Sequence, residues 1–442
     1  MIIKSVSGIR GIVGKGFTPE YVTTYAGAFG VFSKRKKIVV GRDSRRSGEM
    51  LKNAVIAGLL SVGCEVVDLG IVPTPTILMN VKELKAQGGI AITASHNPSE
   101  WNALKIINKD GEFLSEEENK KLEEILNSDF ERVRWSDIKD VQNDDNGIER
   151  HIEKIFRLKK INFELIKKKR FKVVIDCVNG ASYFAYPYFL RKLGCDVIEL
   201  FCEDTGDFRR NPEPVPENLK ALESLVKETG ADIGFATDAD GDRLSIVSDE
   251  GKAIGEEYTI TLGMDYWFSK VKGEGVVNTS TTSMVDFVAK KYGTIVHRAK
   301  VGEANVVKKM KEVNAVIGGE GNGGVILPEI HYTRDAMVGM VLILSLLAEK
   351  GKKFSEIIKD LPKLYMIKKT KHFDNLKERD EFYKKLFEVY SKDAELTDGI
   401  KVFYDEGWLH LRKSGTEPII RFICEGNDEE WVLKKIKDAM EI

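Results

Sequence analysis

The stretch Phe171–Leu200 contains the pattern that decides the fold. It opens with the β-branched run FKVVID (171–176), continues through a helical stretch from Phe184 to Leu193, and ends with GCDVIEL (194–200). A strand, a helix stopped by glycine and a second strand form a βαβ unit, in which the helix is the crossover that parallel strands require. The stretch therefore predicts parallel strands inside an α/β domain.

The same pattern occurs twice more in the chain. KIVVGRD (37–43) leads through a helix-like stretch to GCEVVDL (63–69), and GVVNT (275–279) leads through a helix at 284–291 to GTIVH (293–297). Copies so far apart indicate three related α/β domains in tandem, because the period of a solenoid is much shorter.

The last part of the chain follows a different pattern. Helix-like segments at 374–391 and 429–440 enclose three strand-like segments at 399–403, 408–411 and 419–424. This order predicts a small α+β domain with an antiparallel sheet.

Polar clusters and changes of pattern indicate the domain boundaries. NDDNG (143–147) is a polar turn before a helix-like stretch at 148–161, and further boundaries are expected near 249–255 and 362–370. The predicted domains are 1–147, 148–252, 253–366 and 367–442.

Composition limits the class of protein. A chain of 442 residues with 42% hydrophobic and 31% charged residues is typical of a soluble protein with several cores. Lys+Arg 68 nearly balance Asp+Glu 69, so neither nucleic acid nor an anionic membrane is expected as the main partner.

We read no secretory signal, and the longest apolar stretch, Ala336–Ala348, is too short to span a bilayer. Five scattered cysteines predict free thiols in a reducing compartment, and so a cytoplasmic protein.

An apolar run delivers one serine to a polar turn. GIAITASHNP (89–98) has strand character, and its final proline prevents a helix from following. The hydroxyl of Ser95, beside His96 and the later Lys105, is placed for covalent chemistry. The alternative is a serine that only hydrogen-bonds its own turn, with His96 as a loop stabiliser.

An acidic loop follows a later strand. Asp238, Asp240 and Asp242 are two residues apart, and carboxylates so close repel one another unless a cation neutralises them. Hard oxygen ligands point to Mg²⁺, and Arg243 stands where the loop of an EF-hand needs glycine. Arg243 could hold a phosphate oxygen opposite the metal. A solvated acidic turn is the alternative.

A basic loop lies near the end of the chain. RKSGTEP (412–418) and Arg421 combine two guanidinium groups with a Ser-Gly-Thr turn, in which Gly415 lets successive backbone amides face one anion. This combination predicts a phosphate-binding loop, although a hairpin turn with surface arginines fits the same residues.

Two glycine-rich segments complete the set. GGEGNGG (318–324) is followed by a strand rather than a helix, so a dinucleotide site is disfavoured. Its carboxylate and amide, Glu320 and Asn322, suit recognition of sugar hydroxyls. SGIRG (7–11) adds Arg10 on glycine-flanked backbone. A serine, a metal loop, a hydroxyl-binding loop and a phosphate loop together predict phosphoryl transfer on a sugar phosphate.

These motifs, in this order, resemble those of a known family. SGIRG, TASHNP (93–98), DADGDR (238–243), GEGNGG (319–324) and RKSGTEP are similar to the signatures of the α-D-phosphohexomutases, which include phosphoglucomutase, phosphomannomutase and phosphoglucosamine mutase. The resemblance covers nearly the whole chain. It implies a heart-shaped arrangement of four domains around a deep cleft, with mixed sheets in the first three.

The resemblance also implies roles for single residues. Ser95 would be carried as a phosphoserine, and one Mg²⁺ per active site would bind its phosphate together with the three aspartates. Arg10 and Lys105 match positions that stabilise charge and assist proton transfer, and His96 is a further catalytic candidate. The substrate-binding candidates are Arg243, Lys300, Glu320, Asn322, Arg412, Ser414, Gly415, Thr416 and Arg421.

The implied reaction interconverts hexose 6-phosphate and hexose 1-phosphate through a hexose 1,6-bisphosphate, which is both intermediate and activator. The expected partners are sugar phosphates, without nucleic acid or membrane, in a monomer or homodimer. The GEGNGG form is most similar to archaeal-type phosphoglucosamine mutases, with phosphomannomutase/phosphoglucomutase as the alternative. Asn322 and Gly324 replace the Ser and His of many bacterial relatives. A metal-dependent phosphatase and a sugar-phosphate sensor without chemistry are more distant alternatives.

Overall fold

The computed structural model describes residues 2–5, 8–415 and 417–442, and its strands form four separate sheets within those ranges. The first unit comprises β1 (Ile2–Ser5), β2 (Gly8–Ile12), α1 (Pro19–Phe32), β3 (Ile38–Arg42), α2 (Gly48–Ser61), β4 (Val66–Ile71), α3 (Thr74–Glu83), β5 (Gly88–Ile92), β6 (Trp101–Asn108), α4 (Glu116–Leu126) and β7 (Val141–Asn143). Its sheet has the order β1-β2-β6-β5-β3-β4-β7.

The second and third units each have a four-stranded sheet. The second comprises α5 (Gly147–Phe156), α6 (Phe163–Lys169), β8 (Lys172–Asp176), α7 (Ala185–Lys192), β9 (Asp196–Leu200), α8 (Lys220–Thr229), β10 (Ile233–Thr237) and β11 (Leu244–Ser248). The third comprises α9 (Glu257–Lys270), β12 (Gly275–Asn278), α10 (Met284–Lys291), β13 (Val296–Ala299), α11 (Glu303–Val313), β14 (Ile317–Glu320), β15 (Gly324–Ile326), α12 (Ala336–Lys350) and α13 (Phe354–Ile357).

The first three sheets contain the same four-strand core. In β3–β6, β8–β11 and β12–β15, the first strand pairs in parallel with the second and the third, and the fourth pairs antiparallel with the third. Parallel neighbours need the helical crossovers that the sequence pattern predicted, whereas the fourth strand returns through a short hairpin. The prediction of three related α/β domains with mixed sheets is confirmed.

The hairpin between the third and fourth strands carries a predicted site motif in each of the three domains. The predicted serine lies between β5 and β6, the acidic loop between β10 and β11, and the glycine-rich loop between β14 and β15. Ligands of open α/β sheets bind beyond the carboxyl ends of the strands. The shared topology therefore presents three chemically different turns from equivalent places.

The second and third units share one hydrophobic core. Helix α12 is buried from Ala336 to Ala348 and packs against α9 and α6, which explains why it has no polar face. Among the described residues, no helix combines the length and the apolar character needed to cross a membrane. All five cysteines are free thiols, as predicted, and all but Cys202 are buried.

The fourth unit is the predicted antiparallel α+β domain, but it has four strands rather than the three predicted, because the segment 365–372, which was expected to contain a domain boundary, pairs with the strand at 419–426. It comprises β16 (Tyr365–His372), α14 (Leu376–Tyr390), β17 (Ile400–Phe403), β18 (Gly407–Lys413), β19 (Ile419–Gly426) and α15 (Glu429–Met440), with the sheet order β16-β19-β18-β17. Asn375 and Asp428 cap the two helices by accepting backbone amides. The basic loop is the β18–β19 turn.

The prediction of a helix at 148–161 is wrong at its carboxyl end. Helix α5 ends at Phe156, and Leu158 and Ile161 lie in a connecting turn that is packed into the core. Asn162 then caps α6 by accepting the Leu165 amide. The apolar spacing of this segment arises from burial of the turn rather than from a longer helix.

Candidate active site

Ser95 lies in the β5–β6 turn and is 8% exposed. Its φ of +48° is a left-handed conformation that is uncommon outside glycine and is found at functional turns. The Ser95 amide donates to Thr93 Oγ1 at 3.0 Å, and Thr93 Oγ1 donates to Asp43 Oδ2 at 2.6 Å. Buried polar side chains therefore hold the turn in this conformation.

Arg45 organises the same turn, and the sequence motifs did not indicate it. Its guanidinium is buried, and its ion pair with Asp43 has an Nε–Oδ2 distance of 2.9 Å. It donates to the carbonyl oxygens of Ser95 (2.7 Å), Asn97 (2.7 Å), Pro98 (2.6 Å) and Trp101 (3.1 Å). The five donors of a planar guanidinium can satisfy several carbonyls at once. The signal available in the sequence was an arginine two residues after Asp43, the acidic residue that directly follows β3.

The acidic loop meets Ser95 directly. Ser95 Oγ donates to Asp238 Oδ2 at 2.7 Å, and one carboxylate oxygen from each of Asp238, Asp240 and Asp242 lies within 4.8 Å of the others. Gly241, with φ of +72°, allows the sharp turn between the last two aspartates. The structure thus brings the predicted nucleophile and the predicted metal ligands together across two domains.

The donor set fits a divalent cation. All three aspartates are essentially buried, and the Oδ1 atoms of Asp240 and Asp242 have no hydrogen-bond partner. Burial and repulsion from its two neighbours raise the pKa of Asp238 well above the usual range. Unpartnered buried carboxylate oxygens are costly, and a hard cation such as Mg²⁺ would satisfy them. The triad could therefore hold a metal ion.

Two cations next to the triad are those that the sequence predicted. Lys105 Nζ lies 2.5 Å from Asp240 Oδ2 and 3.9 Å from Asp242 Oδ2. Burial alone would raise the pKa of Asp240, but the Lys105 ammonium, together with hydrogen bonds with Lys105, Asp238 and Thr74, outweighs it and holds that pKa below the ordinary value. Arg243 Nε lies 3.8 Å from both Asp238 Oδ2 and Asp242 Oδ1. The site therefore balances its carboxylates with positive charge.

A cavity of about 170 Å³ lies over Ser95, and His96, Arg10, Lys105 and Arg243 are among its lining residues. Arg243 and burial lower the pKa of His96 well below its usual range, so the ring is neutral at pH 7, and its buried Nδ1 has no partner. Arg10 reaches Asn97 Oδ1 at 3.4 Å, and its buried Nε is unpartnered. These side chains keep unused hydrogen-bonding atoms next to Ser95, and the arginine N–H could bind an anionic ligand.

The sugar-loop candidates are more enclosed than the sequence suggested. Glu320 is 3% exposed; its Oε1 accepts from the Asn278 side chain at 2.9 Å and from the Gly302 amide at 3.0 Å. Asn322 is half-buried, and its Oδ1 is buried without a partner. Asn322 therefore has a free acceptor for a ligand donor, whereas Glu320 is already well bonded within the protein.

A larger cleft of about 750 Å³ extends from these loops to the fourth domain. Its lining includes His96, Arg243, Glu320, Asn322, Arg412 and Arg421, so it links the predicted serine, metal, sugar and phosphate loops. Lys300 is exposed at the end of β13, next to the lining residue Val301. The cleft connects the ends of the predicted substrate site.

The β18–β19 turn supplies the phosphate-loop candidates. Arg412 Nε pairs with Asp398 at 3.1 Å, and Arg421 is exposed. Gly415 has open space where a side chain would extend, with no atom within 4 Å of a Cβ placed there. The Ser414 hydroxyl accepts the Glu417 amide at 3.2 Å, and Arg379, which the sequence motifs did not indicate, donates to the carbonyls of Ser414 (2.6 Å) and Glu417 (3.0 Å). Thr416 and the Ser7 of SGIRG lie outside the described residues.

Family profiles match the chain in the order of its domains. The profiles are those of phosphoglucomutase/phosphomannomutase: alpha/beta/alpha domain I at residues 1–133, domain II at 149–251, domain III at 255–365 and the C-terminal domain at 355–441. Together they account for nearly the whole chain. The protein therefore belongs to the phosphoglucomutase/phosphomannomutase family, whose members are phosphohexomutases.

Individual relatives support the same family over the full length. The chain is 42% identical over 434 residues to a phosphoglucomutase/phosphomannomutase of Thermococcus kodakarensis, covering 96% of this chain and 94% of that protein. It is 38% identical over 433 residues to a phosphoglucosamine/phosphogalactosamine mutase of Sulfurisphaera tokodaii, with the same coverage of 96% and 94%. A crystal structure of a phosphoglucomutase/phosphomannomutase family protein from Burkholderia thailandensis superposes with a TM-score of 0.85 at 25% identity, covering 99% of this chain and 97% of that one. The sugars in these names differ.

Proposed function

We propose that the protein interconverts hexose 6-phosphate and hexose 1-phosphate through a phosphorylated Ser95. The observation that carries this proposal is the 2.7 Å hydrogen bond from Ser95 Oγ to Asp238 Oδ2, which joins the nucleophile of one domain to the acidic loop of another. A serine at this place would carry its phosphoryl group directly beside the candidate metal ligands.

Asp238, Asp240, Asp242 and an oxygen of the phosphoserine would hold one Mg²⁺, which when bound supplies Lewis acidity at the phosphoryl group. The buried, unpartnered Oδ1 atoms of Asp240 and Asp242 support this assignment. Lys105 and Arg243 lie next to the same carboxylates, and Arg10 lines the adjoining cavity. These cations would stabilise negative charge on the transferring group.

The reaction would take place in two matched transfers. In the first, the P–O bond to Ser95 Oγ breaks, a new P–O bond forms to the free 1- or 6-hydroxyl of the sugar, and the hydroxyl proton is passed on to Ser95 Oγ. The resulting hexose 1,6-bisphosphate would reorient within the cleft, so that its other phosphate faces Ser95. In the second transfer its other phosphoryl group returns to Ser95, and the isomeric monophosphate leaves. The same bisphosphate added from outside would act as activator.

The chain's own residues would position the substrate. The basic loop of Arg412, Ser414, Gly415, Thr416 and Arg421 would bind whichever phosphate is not reacting, and Glu320, Asn322 and Lys300 would contact the sugar. His96 is neutral at pH 7 because nearby Arg243 and burial lower its pKa, so it would act near Ser95 as a neutral hydrogen-bonding group. Enclosure by the cleft would limit hydrolysis of the phosphoserine.

Glucosamine phosphate is the sugar that we favour. The larger cleft is lined by the carboxylates of Glu213, Glu217, Glu256, Glu257, Glu320 and Glu425. Glu425 Oε2 is buried there without a partner. Lys368 pairs with Glu256 and Glu257, and Arg334 pairs with Glu320, so the unpartnered Oε2 of Glu425 is the group that would attract the ammonium of an amino sugar. Glucose and mannose carry no such cation. A phosphomannomutase/phosphoglucomutase is the alternative, and the name of the relative from Thermococcus kodakarensis favours it.

The covalent step is tested by intact-protein mass. The wild-type protein, incubated with glucosamine 1,6-bisphosphate, should gain one phosphate-sized increment, and Ser95→Ala should not. Asn97→Ala, a neighbouring change that keeps the hydroxyl, should still gain it. An equal increment in Ser95→Ala would refute phosphoserine 95.

The reaction and the sugar are tested by product analysis. With Mg²⁺ present, glucosamine 6-phosphate should yield glucosamine 1-phosphate with a higher kcat/KM than glucose 6-phosphate or mannose 6-phosphate gives for its own product. Inorganic phosphate released as fast as substrate disappears would identify a phosphatase instead. A higher kcat/KM with the mannose or glucose ester would replace the sugar assignment and keep the mutase.

A further inference from the structure

Arg334 connects two of the candidate loops, and it belongs to none of the sequence motifs. It lies between β15 and α12, and its side chain is 10% exposed. Its guanidinium contacts three carboxylates: Asp242 Oδ2 at 2.7 Å from Nη2, Glu303 Oε2 at 2.9 Å from Nε, and Glu320 Oε2 at 3.0 Å from Nη1. These carboxylates come from the acidic loop, the start of α11 and the sugar loop.

The ion-pair network is buried on all sides. Asp242, Glu303 and Glu320 are each 9% exposed or less, and Arg334 is the cation that pairs with all of them. Burial would raise the pKa of Glu320, but Arg334 and the surrounding hydrogen bonds outweigh this and lower it. Removing one partner from such a network leaves buried charge uncompensated. Arg334 therefore supplies the positive charge that offsets these buried carboxylates.

Its donors select which carboxylate oxygen each loop presents. On Asp242, Arg334 takes Oδ2, and Oδ1 is left unpartnered within the aspartate triad. On Glu320, Arg334 takes Oε2, while Asn278 and Gly302 take Oε1. A planar fork can do this for two carboxylates at once, whereas a lysine ammonium cannot reproduce the geometry.

Glu303 fixes Arg334 from the opposite side. Its Oε1 accepts the Thr333 hydroxyl at 2.5 Å and the Arg334 amide at 3.3 Å, while its Oε2 accepts Arg334 Nε. Arg334 also lines the cavity that contains Ser95. The guanidinium thus lies at the point where the metal loop, the sugar loop and the candidate nucleophile meet.

We propose that Arg334 is a positioning residue that couples metal binding at the aspartate triad to sugar-phosphate binding at the Glu320 loop. A ligand that orders Glu320 orders the guanidinium, and the guanidinium orders Asp242 for the metal. Each ligand should then tighten the other, as linkage requires. The substrate half of this inference rests on the proposed function, whereas the metal half stands on the geometry of Asp242 alone.

The test measures binding rather than turnover. Dephosphorylated, metal-free wild type, Arg334→Met and Arg334→Lys are titrated with Mn²⁺, followed by electron paramagnetic resonance, with and without saturating glucosamine 6-phosphate. Loss of a group that orients a metal ligand typically weakens metal binding about 10–100-fold. Arg334→Met should show a weakening of that size and no mutual tightening. Arg334→Lys, which keeps the charge but not the fork, should be intermediate.

Arg150→Met is the matched control. Arg150 also pairs with a carboxylate, Asp144, at 2.6 Å, but touches none of the loops of the site. Its Mn²⁺ affinity and the effect of sugar phosphate on it should equal those of the wild type. If Arg334→Met does not fold, Arg334→Lys decides the question.

Wild-type Mn²⁺ affinity and coupling in a folded Arg334 variant would overturn the inference, as would absence of Mn²⁺ binding in the wild type. A wild type that binds Mn²⁺ in an Arg334-dependent way but shows no mutase activity would refute the proposed function and leave the positioning role intact. The two failures are therefore distinguishable.

Discussion

Asp238→Asn should stabilise the metal-free protein while it removes metal binding. The change keeps the size of the side chain and an acceptor for Ser95 Oγ, which lies 2.7 Å from Oδ2, but deletes one of three crowded negative charges. A site built for a cation should be strained without one. The variant separates this electrostatic cost from the shape of the loop.

The expected size follows from the distances. At an effective dielectric constant of about 20, two like charges 4.8 Å apart repel by about 3.5 kcal/mol, so two such neighbours cost Asp238 about 7 kcal/mol. Attraction to Arg243 Nε at 3.8 Å returns about 4 kcal/mol. Since Lys105 and other cations offset part of the rest, we expect a gain of about 1–3 kcal/mol. In domains of 150–250 residues, each 1 kcal/mol shifts Tm by about 2–4 °C.

The assay is thermal unfolding of EDTA-treated protein that mass measurement shows to be free of phosphate. Asp238→Asn should melt at least about 2 °C above the wild type without metal. Addition of millimolar Mg²⁺ should raise Tm of the wild type and leave that of the variant almost unchanged, because ligand binding stabilises only the protein that binds it.

Asp68→Asn is the control for this comparison. Asp68 is also buried, but its carboxylate is paired with Lys52 at 2.9 Å, so the substitution should lower Tm and keep the response to Mg²⁺. An Asp238→Asn protein that melts below the wild type in EDTA, or that gains as much from Mg²⁺, would show that the triad is not an electrostatically strained metal site.

Three other predictions concern two parts of the candidate site and one buried lysine, Lys401 of β17. Arg45→Lys, which cannot hold four loop carbonyls at once, should lower kcat/KM by about 10–100-fold through misplacement of Ser95, and an unchanged value would refute its positioning role. Burial lowers the pKa of Lys401 to about 7, whereas the unfolded chain keeps the ordinary value of 10.5, so the free energy of unfolding should rise as pH increases from about 7 towards 10.5. Lys401→Met should flatten this rise, measured as Tm against pH. An equal rise in the variant would contradict the lowered pKa of Lys401. Arg421→Ala should raise KM about tenfold with little change in kcat, and an unchanged KM would count against phosphate binding by this loop.

The spacing of apolar residues predicted most of the secondary structure, and it failed where a buried turn has the same apolar spacing as a helix. The segments 284–291 and 429–440 form helices with the predicted bounds, because their amphipathic spacing and flanking residues agree. Leu158 and Ile161 carried the same spacing, yet they lie in a turn that the core covers. Periodicity reports which residues are buried, and a packed turn satisfies it as well as a helix does.

The chemical character of the acidic and basic loops could also be predicted from the sequence, because each loop concentrates one type of charged group. Crowded carboxylates favour a cation and clustered guanidinium groups favour an anion whatever the fold, so a ligand class could be predicted for the acidic loop and for the basic loop from composition alone. Arg45 and Arg334 were not readable in this way. Each is a single arginine outside any repeating pattern. The partners of Arg45 lie up to 56 residues away in the chain, and those of Arg334 lie up to 92 residues away.

The sequence by itself determined the order of strands and helices, the repeat of the α/β core and the chemical groups that each loop presents. Those properties depend on neighbours along the chain. Only the tertiary structure decided that the hairpins of three domains converge, that Ser95 touches Asp238, and that one guanidinium joins Asp242 to Glu320. Such contacts arise from the packing of distant segments, and no local spacing encodes which buried charge will meet which.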